Sequence, residues 1–396
     1  MGAGTSTPDY DAMLFADKTQ QSIVCEGDQA GGAAPRRAKG CAEKLLEFPT
    51  VDGVDLCTIW DAFRRSADVF KTRNFAGTRR HEDGKRGSYQ WESYGTISNA
   101  VKEFGAGLVS LGQKPESNIG IYSLNRTEWM IASLGNFSQN MRTVALYDTL
   151  GVEAVTHILS HAEIEVVVCS KDKVPKIIEA KRSNEAMPLK TIIQFDVFEL
   201  YNNVHETVSE DDKKLAEEVG IDLIGFSEVR KKGTGDGDKP SFDPKPTDLA
   251  FVMYTSGTTG VPKGAMLTHG NIMACVGSTK AVLPLSPEDI HISYLPLAHI
   301  FETIIQVTMI LYGGSVGYFG GNVKLLAEDY VELRPTVLCG VPRVFGKIYS
   351  KVNAQVDQGW FFKRWMFYRA LEASSQKIRV GERHERYDNM IWKKIR

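Results

Sequence analysis

Between Asn118 and Val356 the chain repeatedly sets a short apolar run beside a segment of helical period. Asn118–Ser123, Thr143–Tyr147, Val166–Ser170, Thr191–Asp196, Leu249–Tyr254, His291–Leu295, Ser315–Phe319 and Thr336–Gly340 are short and apolar. They carry many β-branched and aromatic residues, as buried strands do. Between and after them, helices are expected at Arg126–Gln139, Val152–His161, His269–Leu283, Ile300–Tyr312, Val323–Leu333 and Val344–Val356. Two more precede the series. Leu56–Phe70 puts Ile59, Phe63, Ala67 and Phe70 on one face. Glu92–Leu111 does the same with Ile97, Val101, Phe104, Leu108 and Leu111, and Gly112 follows its end. Strands alternating with helices imply right-handed βαβ units and parallel pairing. The expected fold is α/β, with two stacked βαβ-type halves and mostly parallel sheets.

The rhythm breaks at 202–245, where Glu210–Lys214 and Lys231–Pro240 are charged and glycine-containing. The expected organisation is a flexible tail at 1–49, a first α/β subdomain at 50–200, a charged excursion at 201–247 and a second α/β subdomain at 248–396. Ala265–Leu267 reads as a further short strand in the second subdomain.

One loop carries the chemistry. Leu249–Tyr254 runs directly into Thr255-Ser-Gly-Thr-Thr-Gly-Val-Pro-Lys-Gly264. Gly257, Gly260 and Gly264 let the backbone turn sharply and approach a ligand. Thr255, Ser256, Thr258 and Thr259 add hydroxyls beside freed backbone amides, a concavity of donors that suits phosphate oxygens. Lys263 supplies a cation for the outer phosphates. This is not the Gly-Lys-Ser/Thr P-loop ending, because Pro262 precedes Lys263 and Gly264 follows it.

Composition removes several other classes. The net charge of −2 indicates no nucleic-acid partner. The six cysteines are scattered, without a C-x-x-C pair, which fits neither a zinc site nor a disulfide scaffold. The first thirty residues lack the apolar segment of a secretory signal, and no stretch reaches the roughly 18 apolar residues of a membrane-spanning helix. A cytoplasmic location is expected, with peripheral membrane association open. Two features bear on it. Met1–Ser6 fits the N-myristoylation pattern through Gly2. From Trp360 onward, ten Lys/Arg stand against four Asp/Glu among several aromatics.

Tyr254–Gly264 resembles the phosphate loop of the AMP-forming acyl-adenylating enzymes. Ala145–Gly151, Tyr294-Leu-Pro-Leu-Ala-His-Ile-Phe-Glu302 and Arg334–Phe345 are similar to the eukaryotic long-chain fatty acyl-CoA synthetases within that superfamily. The resemblance runs from about residue 50 to the end. It implies ATP-dependent activation of a long-chain fatty acid to acyl-CoA through an acyl-adenylate, with ATP, coenzyme A and Mg2+ taking part. It implies that Thr255, Ser256, Gly257, Thr258, Thr259, Gly260 and Lys263 hold the ATP phosphates and that Thr255 touches magnesium. It places His299 beside the acyl-adenylate, so Lys263 and His299 are the expected catalytic residues. Read from position alone, His299 is a helix cap or core residue. Glu302 reads as an acid at a helix N-terminus, and Thr303 stands where related long-chain enzymes often carry Arg. Part of the apolar helix after His299 is expected to line the acyl tunnel.

The family's adenine-binding Tyr-Gly-x-Thr-Glu motif, ribose-binding Asp, hinge and lid domain with its lysine find no match up to Arg396. The expectation is an incomplete N-terminal domain, the first part of a longer enzyme. Two alternatives stay open: a non-catalytic nucleotide-binding fragment, and an adenylating ligase for a different carboxylic acid.

Overall fold

The structure is a computed structural model that describes residues 22–24, 36–38, 48–82, 85–196, 207–234, 242–255, 261–280, 283–379, 382 and 384–392. Gly2 and the myristoylation pattern lie outside them, as does most of the expected tail. Within the tail, Ser22–Val24 and Arg36–Ala38 pair as antiparallel strands. The chain divides into two compact units, residues 46–338 and residues 1–45 with 339–396.

The larger unit opens with helix α1 (Ile59–Val69), hairpin β1 (Asn74–Glu82) and β2 (Lys85–Ser93), and helix α2 (Tyr94–Ser110). Thr58 and Ser93 cap the two helices, each side-chain oxygen accepting from the amide three residues on. The alternation then runs β3 (Asn118–Tyr122), α3 (Thr127–Phe137), β4 (Arg142–Leu146), α4 (Val152–His161), β5 (Val166–Cys169), α5 (Val174–Ser183) and β6 (Thr191–Gln194). Next come α6 (Glu210–Glu217), β7 (Asp222–Gly225), α7 (Phe226–Gly233), β8 (Leu249–Thr255), β9 (Lys263–Thr268) and α8 (His269–Lys280). The unit ends with β10 (Ile290–Ser293), α9 (Ile300–Tyr312), β11 (Ser315–Tyr318) and α10 (Leu326–Leu333). The second unit holds α11 (Pro342–Asp357) and α12 (Phe361–Arg379), packed around Phe367, Ala370 and Ile391. No helix among the described residues is long and apolar enough to cross a membrane.

The larger sheet has strand order β7-β6-β5-β3-β4-β8-β9 and is parallel except for the β8/β9 pair. Val166, Val167 and Val168 of β5 are all at most 1% exposed. Such a strand is apolar throughout because helices cover both faces. Ile158, Leu159, Ile177 and Ile192 join the same core cluster, each burial contributing about 1.5–3 kcal/mol. The smaller sheet has order β10-β11-β1-β2, with β11 parallel to β10 and to β1.

Several elements differ from the sequence expectation. Strands from both sides of residues 201–247 mix in both sheets, so neither sheet coincides with a sequence half. Hairpin β1/β2 carries charged residues along its length and gave no apolar run. Within 201–247, residues 207–234 form α6, β7 and α7, and β7 becomes an edge of the larger sheet. The acidic run there is a helix start. Ser209 caps α6, accepting from Asp212 N, and Glu210, Asp211 and Asp212 occupy the first turn, where negative charge suits the helix dipole. The expected strand Thr336–Gly340 is reduced to one bridge, Val337 to His291. The amides of Thr336 and Val337 both donate to the Ile290 carbonyl, so no ladder propagates.

Candidate functional site

The loop candidate sits at the carboxyl end of β8, where ligands bind in open α/β sheets. Ala250, Phe251, Met253 and Tyr254 are buried. The strand then surfaces at Thr255, and β9 begins at Lys263, also exposed. Antiparallel pairing sets Thr255 directly opposite Lys263 and Tyr254 opposite Gly264. Residues 255 and 263 therefore stand side by side where the two strands meet the intervening loop. Ser256, Gly257, Thr258, Thr259 and Gly260 lie outside the described residues. Gly264 is required by close approach. A Cβ there would stand 2.9 Å from the Val252 side chain and 3.3 Å from the Tyr254 ring.

Register brings a second motif to the same place. Met253 pairs with Ala145 in the parallel β4/β8 ladder, so the 145–151 segment leaves the sheet beside the loop. Helix α4 follows at once and turns two histidines toward the hairpin. His157 Nε2 lies 3.1 Å from the Pro262 carbonyl oxygen, and His161 Nδ1 lies 2.6 Å from the Tyr254 hydroxyl. Burial raises the Tyr254 phenol above its usual pKa.

His299 belongs to the segment between β10 and α9. Its exposed side chain caps α9, Nδ1 accepting from Phe301 N at 3.2 Å. The cap uses Nδ1, which leaves Nε2 as the nitrogen available to a ligand. The preceding residues are fixed by Asn125, which follows β3 at its carboxyl end. Asn125 Nδ2 donates to the Leu295 carbonyl at 2.6 Å and to Ser293 Oγ at 2.8 Å, and its Oδ1 accepts from Leu297 N at 2.9 Å. Thr303 Oγ1 donates to the Leu297 carbonyl at 3.1 Å. Below this, His291 Nε2 and Glu302 Oε1 meet at 3.0 Å, and both side chains are fully buried. Glu302 thus ties α9 to β10.

The structure therefore joins Thr255 and Lys263 across one hairpin and holds the His299 segment at the end of β3, two strands along the same sheet. Sequence reasoning missed His157, His161 and Asn125. The first two were signalled by their four-residue spacing on a helix, and Asn125 by its place just after a strand. For the magnesium that the family resemblance implies, Thr255 offers an exposed hydroxyl at the end of β8. Among the described residues no cluster of three His, Cys, Asp or Glu competes for the role. Magnesium usually keeps several waters and binds through substrate phosphates, so a single protein hydroxyl is compatible with such an ion.

Comparison with known proteins agrees with this architecture. Residues 63–379 match the family described as AMP-binding enzyme. Long chain acyl-CoA synthetase 4 of Arabidopsis thaliana is 34% identical over 88% of this chain and 52% of its own length. Long-chain-fatty-acid–CoA ligase 5 of Rattus norvegicus is 34% identical over 96% of this chain and 53% of its own. Among solved structures, the adenylation domain of a carboxylate reductase from Mycobacterium chelonae superposes with a TM-score of 0.66 at 18% identity, covering 80% of this chain and 51% of that one. The corresponding domain from Segniliparus rugosus, solved with AMP and a co-purified carboxylic acid, gives 0.64 at 17%, covering 81% and 55%. The chain belongs to the AMP-binding enzyme family. It spans about half the length of the curated relatives it matches.

Proposed function

We propose that this chain is the phosphate-holding part of an enzyme that uses ATP to join a long-chain fatty acid to coenzyme A. The observation that carries the reading is the Thr255–Lys263 pair, set across the turn at the carboxyl end of β8. In the reaction a carboxylate oxygen attacks the α-phosphorus of ATP and pyrophosphate leaves. The thiol sulfur of coenzyme A then attacks the acyl carbonyl carbon and AMP leaves. No covalent enzyme nucleophile is needed; the protein positions two anions and stabilises charge as it shifts. Lys263 stands beside the departing pyrophosphate and balances its growing charge. Thr255 donates to the same phosphates and presents its oxygen to magnesium, which when bound supplies further neutralisation. His299 faces the acyl-adenylate through Nε2.

The names of the relatives support a long-chain acid. A cavity of about 20 Å³ lies between α3 and α9, lined by residues including Trp129, Met130, Leu134, Val307 and Ile310. It has room for about one water molecule, which is too little for an acyl chain.

The test is ATP binding by the purified chain, followed by isothermal titration. Lys263→Ala should weaken ATP by about 10- to 100-fold, the value of a lost charged hydrogen bond. Lys263→Arg should recover part of that, since a planar fork replaces a point charge. Unchanged affinity in the alanine variant removes Lys263 from the phosphate site.

A further inference from the structure

We propose that His157 and His161 of α4 are positioning residues that grip both legs of the phosphate hairpin. The proposal rests on the phosphate-site reading above. Tyr254 immediately precedes Thr255, and Pro262 immediately precedes Lys263. The two residues held by α4 are therefore the last before each functional side chain. His161 Nδ1 meets Tyr254 Oη at 2.6 Å. His157 Nε2 meets the Pro262 carbonyl at 3.1 Å. A carbonyl only accepts, so His157 carries a proton on Nε2 and donates it.

The histidines also order each other. Their rings stack at 5.3 Å with 18° between planes, and the Tyr254 ring stands edge-on to both, at 6.2 and 5.9 Å. The helix beneath them is fixed, because Val155, Ile158 and Leu159 on α4 are fully buried in the sheet core. Pro262 has no amide to give a neighbouring strand, and His157 supplies the hydrogen bond that fixes its carbonyl. A rigid helix thus sets where the Thr255 hydroxyl and Lys263 ammonium stand. Neither histidine needs to touch nucleotide, yet small misplacements of positioned groups are costly in such sites.

The experiment pairs removal with conservative replacement in the 396-residue chain. His157→Gln keeps an N–H where Nε2 was, and His161→Asn keeps a polar atom where Nδ1 was. His157→Ala and His161→Ala should each lower ATP affinity by about three- to tenfold, the range for one neutral hydrogen bond. The Gln and Asn variants should recover most of it. Amide hydrogen exchange in residues 254–264 should rise in the alanine variants while β3, β4 and β5 keep their protection. This readout does not depend on nucleotide. Unchanged exchange in 254–264 overturns the proposal. So does faster exchange throughout the sheet, or equal loss of affinity in the alanine and conservative variants, since both describe a general folding role. If Lys263→Ala leaves ATP affinity intact while His157→Ala loosens 254–264, the phosphate reading fails and the grip stands alone.

Discussion

At the scale of single residues, burial changes what a side chain can do. His269 begins α8 and is fully buried, its ring edge-on to Phe137 at 5.0 Å. Its Nδ1 accepts from the Ile59 amide at 3.3 Å, which helps anchor the start of α1. Loss of water pushes its pKa down to about 4, with Asp248 pulling weakly the other way. Above pH 6.5 the ring is neutral whether folded or not, and contributes no pH dependence. Below it, the unfolded chain takes up a proton that the folded chain refuses. Stability should therefore fall as pH drops from about 6.5 to 4, by about 3 kcal/mol from this residue alone. His269→Asn offers an acceptor near the Nδ1 position without the titration. Its melting temperature should fall less between pH 7 and pH 4.5 than that of the unaltered chain. Parallel falls would show that His269 is not the group responsible.

At the scale of elements, the joints between strand and helix carry the geometry. Helices α2 and α7 approach so closely that a Cβ on Gly107 would collide with the Val229 carbonyl oxygen, and one on Gly233 with that of Glu103. Phe104 and Phe226 stack across the same contact at 4.5 Å. The joint that matters most to the site is Asn125, which grips one carbonyl and one amide of the segment leading to His299. Asn125→Asp keeps the oxygen facing Leu297 N and replaces the donor with a second acceptor. The Leu295 carbonyl then loses its partner and faces a carboxylate oxygen in a buried setting. Each unmet group of this kind costs about 1–3 kcal/mol. Urea denaturation should show the unfolding free energy reduced by about that much, read as a lowered midpoint at unchanged slope. An unshifted midpoint would mean the clamp is not what fixes this segment.

At the scale of the whole molecule, the smaller sheet closes over a long stretch of chain. Hairpin β1/β2 lies before residue 94, yet its partner β11 lies beyond residue 314. Phe75 and Tyr94 stack at 4.1 Å beneath this sheet, and the Tyr94 hydroxyl donates to the Gly314 carbonyl at 2.7 Å. Residues 46–338 contain every strand of both large sheets and should unfold as one cooperative unit. Residues 46–286 lack β10 and β11, leaving β1 with an open edge and two buried aromatics without cover. That shorter fragment should bind a hydrophobic dye and lose the near-ultraviolet dichroism of packed aromatics. Native-like dichroism without dye binding would show that the hairpin is held by something other than β11.

The sequence by itself determined most of the elements, because their causes are local. Helix α9 was expected at Ile300–Tyr312 and is found there, since its apolar period is nearly continuous and Gly313 follows it. Parallel strands β3, β4, β5 and β6 were legible because each centres on a short apolar, mostly β-branched run, and polar residues stand only at the ends of β3, β4 and β6. Thr255 and Lys263 could be singled out because the loop proposed to hold phosphate is a run of consecutive residues. The tertiary structure alone decided what stands beside that turn. His157 and His161 lie about a hundred residues before the groups they touch, and only the β4/β8 register brings their helix to the hairpin. Asn125 had only its place just after a strand to mark it, because its partners, the Ser293 hydroxyl and backbone groups of Leu295 and Leu297, lie some 170 residues away. The mixing of strands between sheets was equally hidden. Apolar period reports that a strand is buried, and the choice of neighbour depends on packing among all the strands at once.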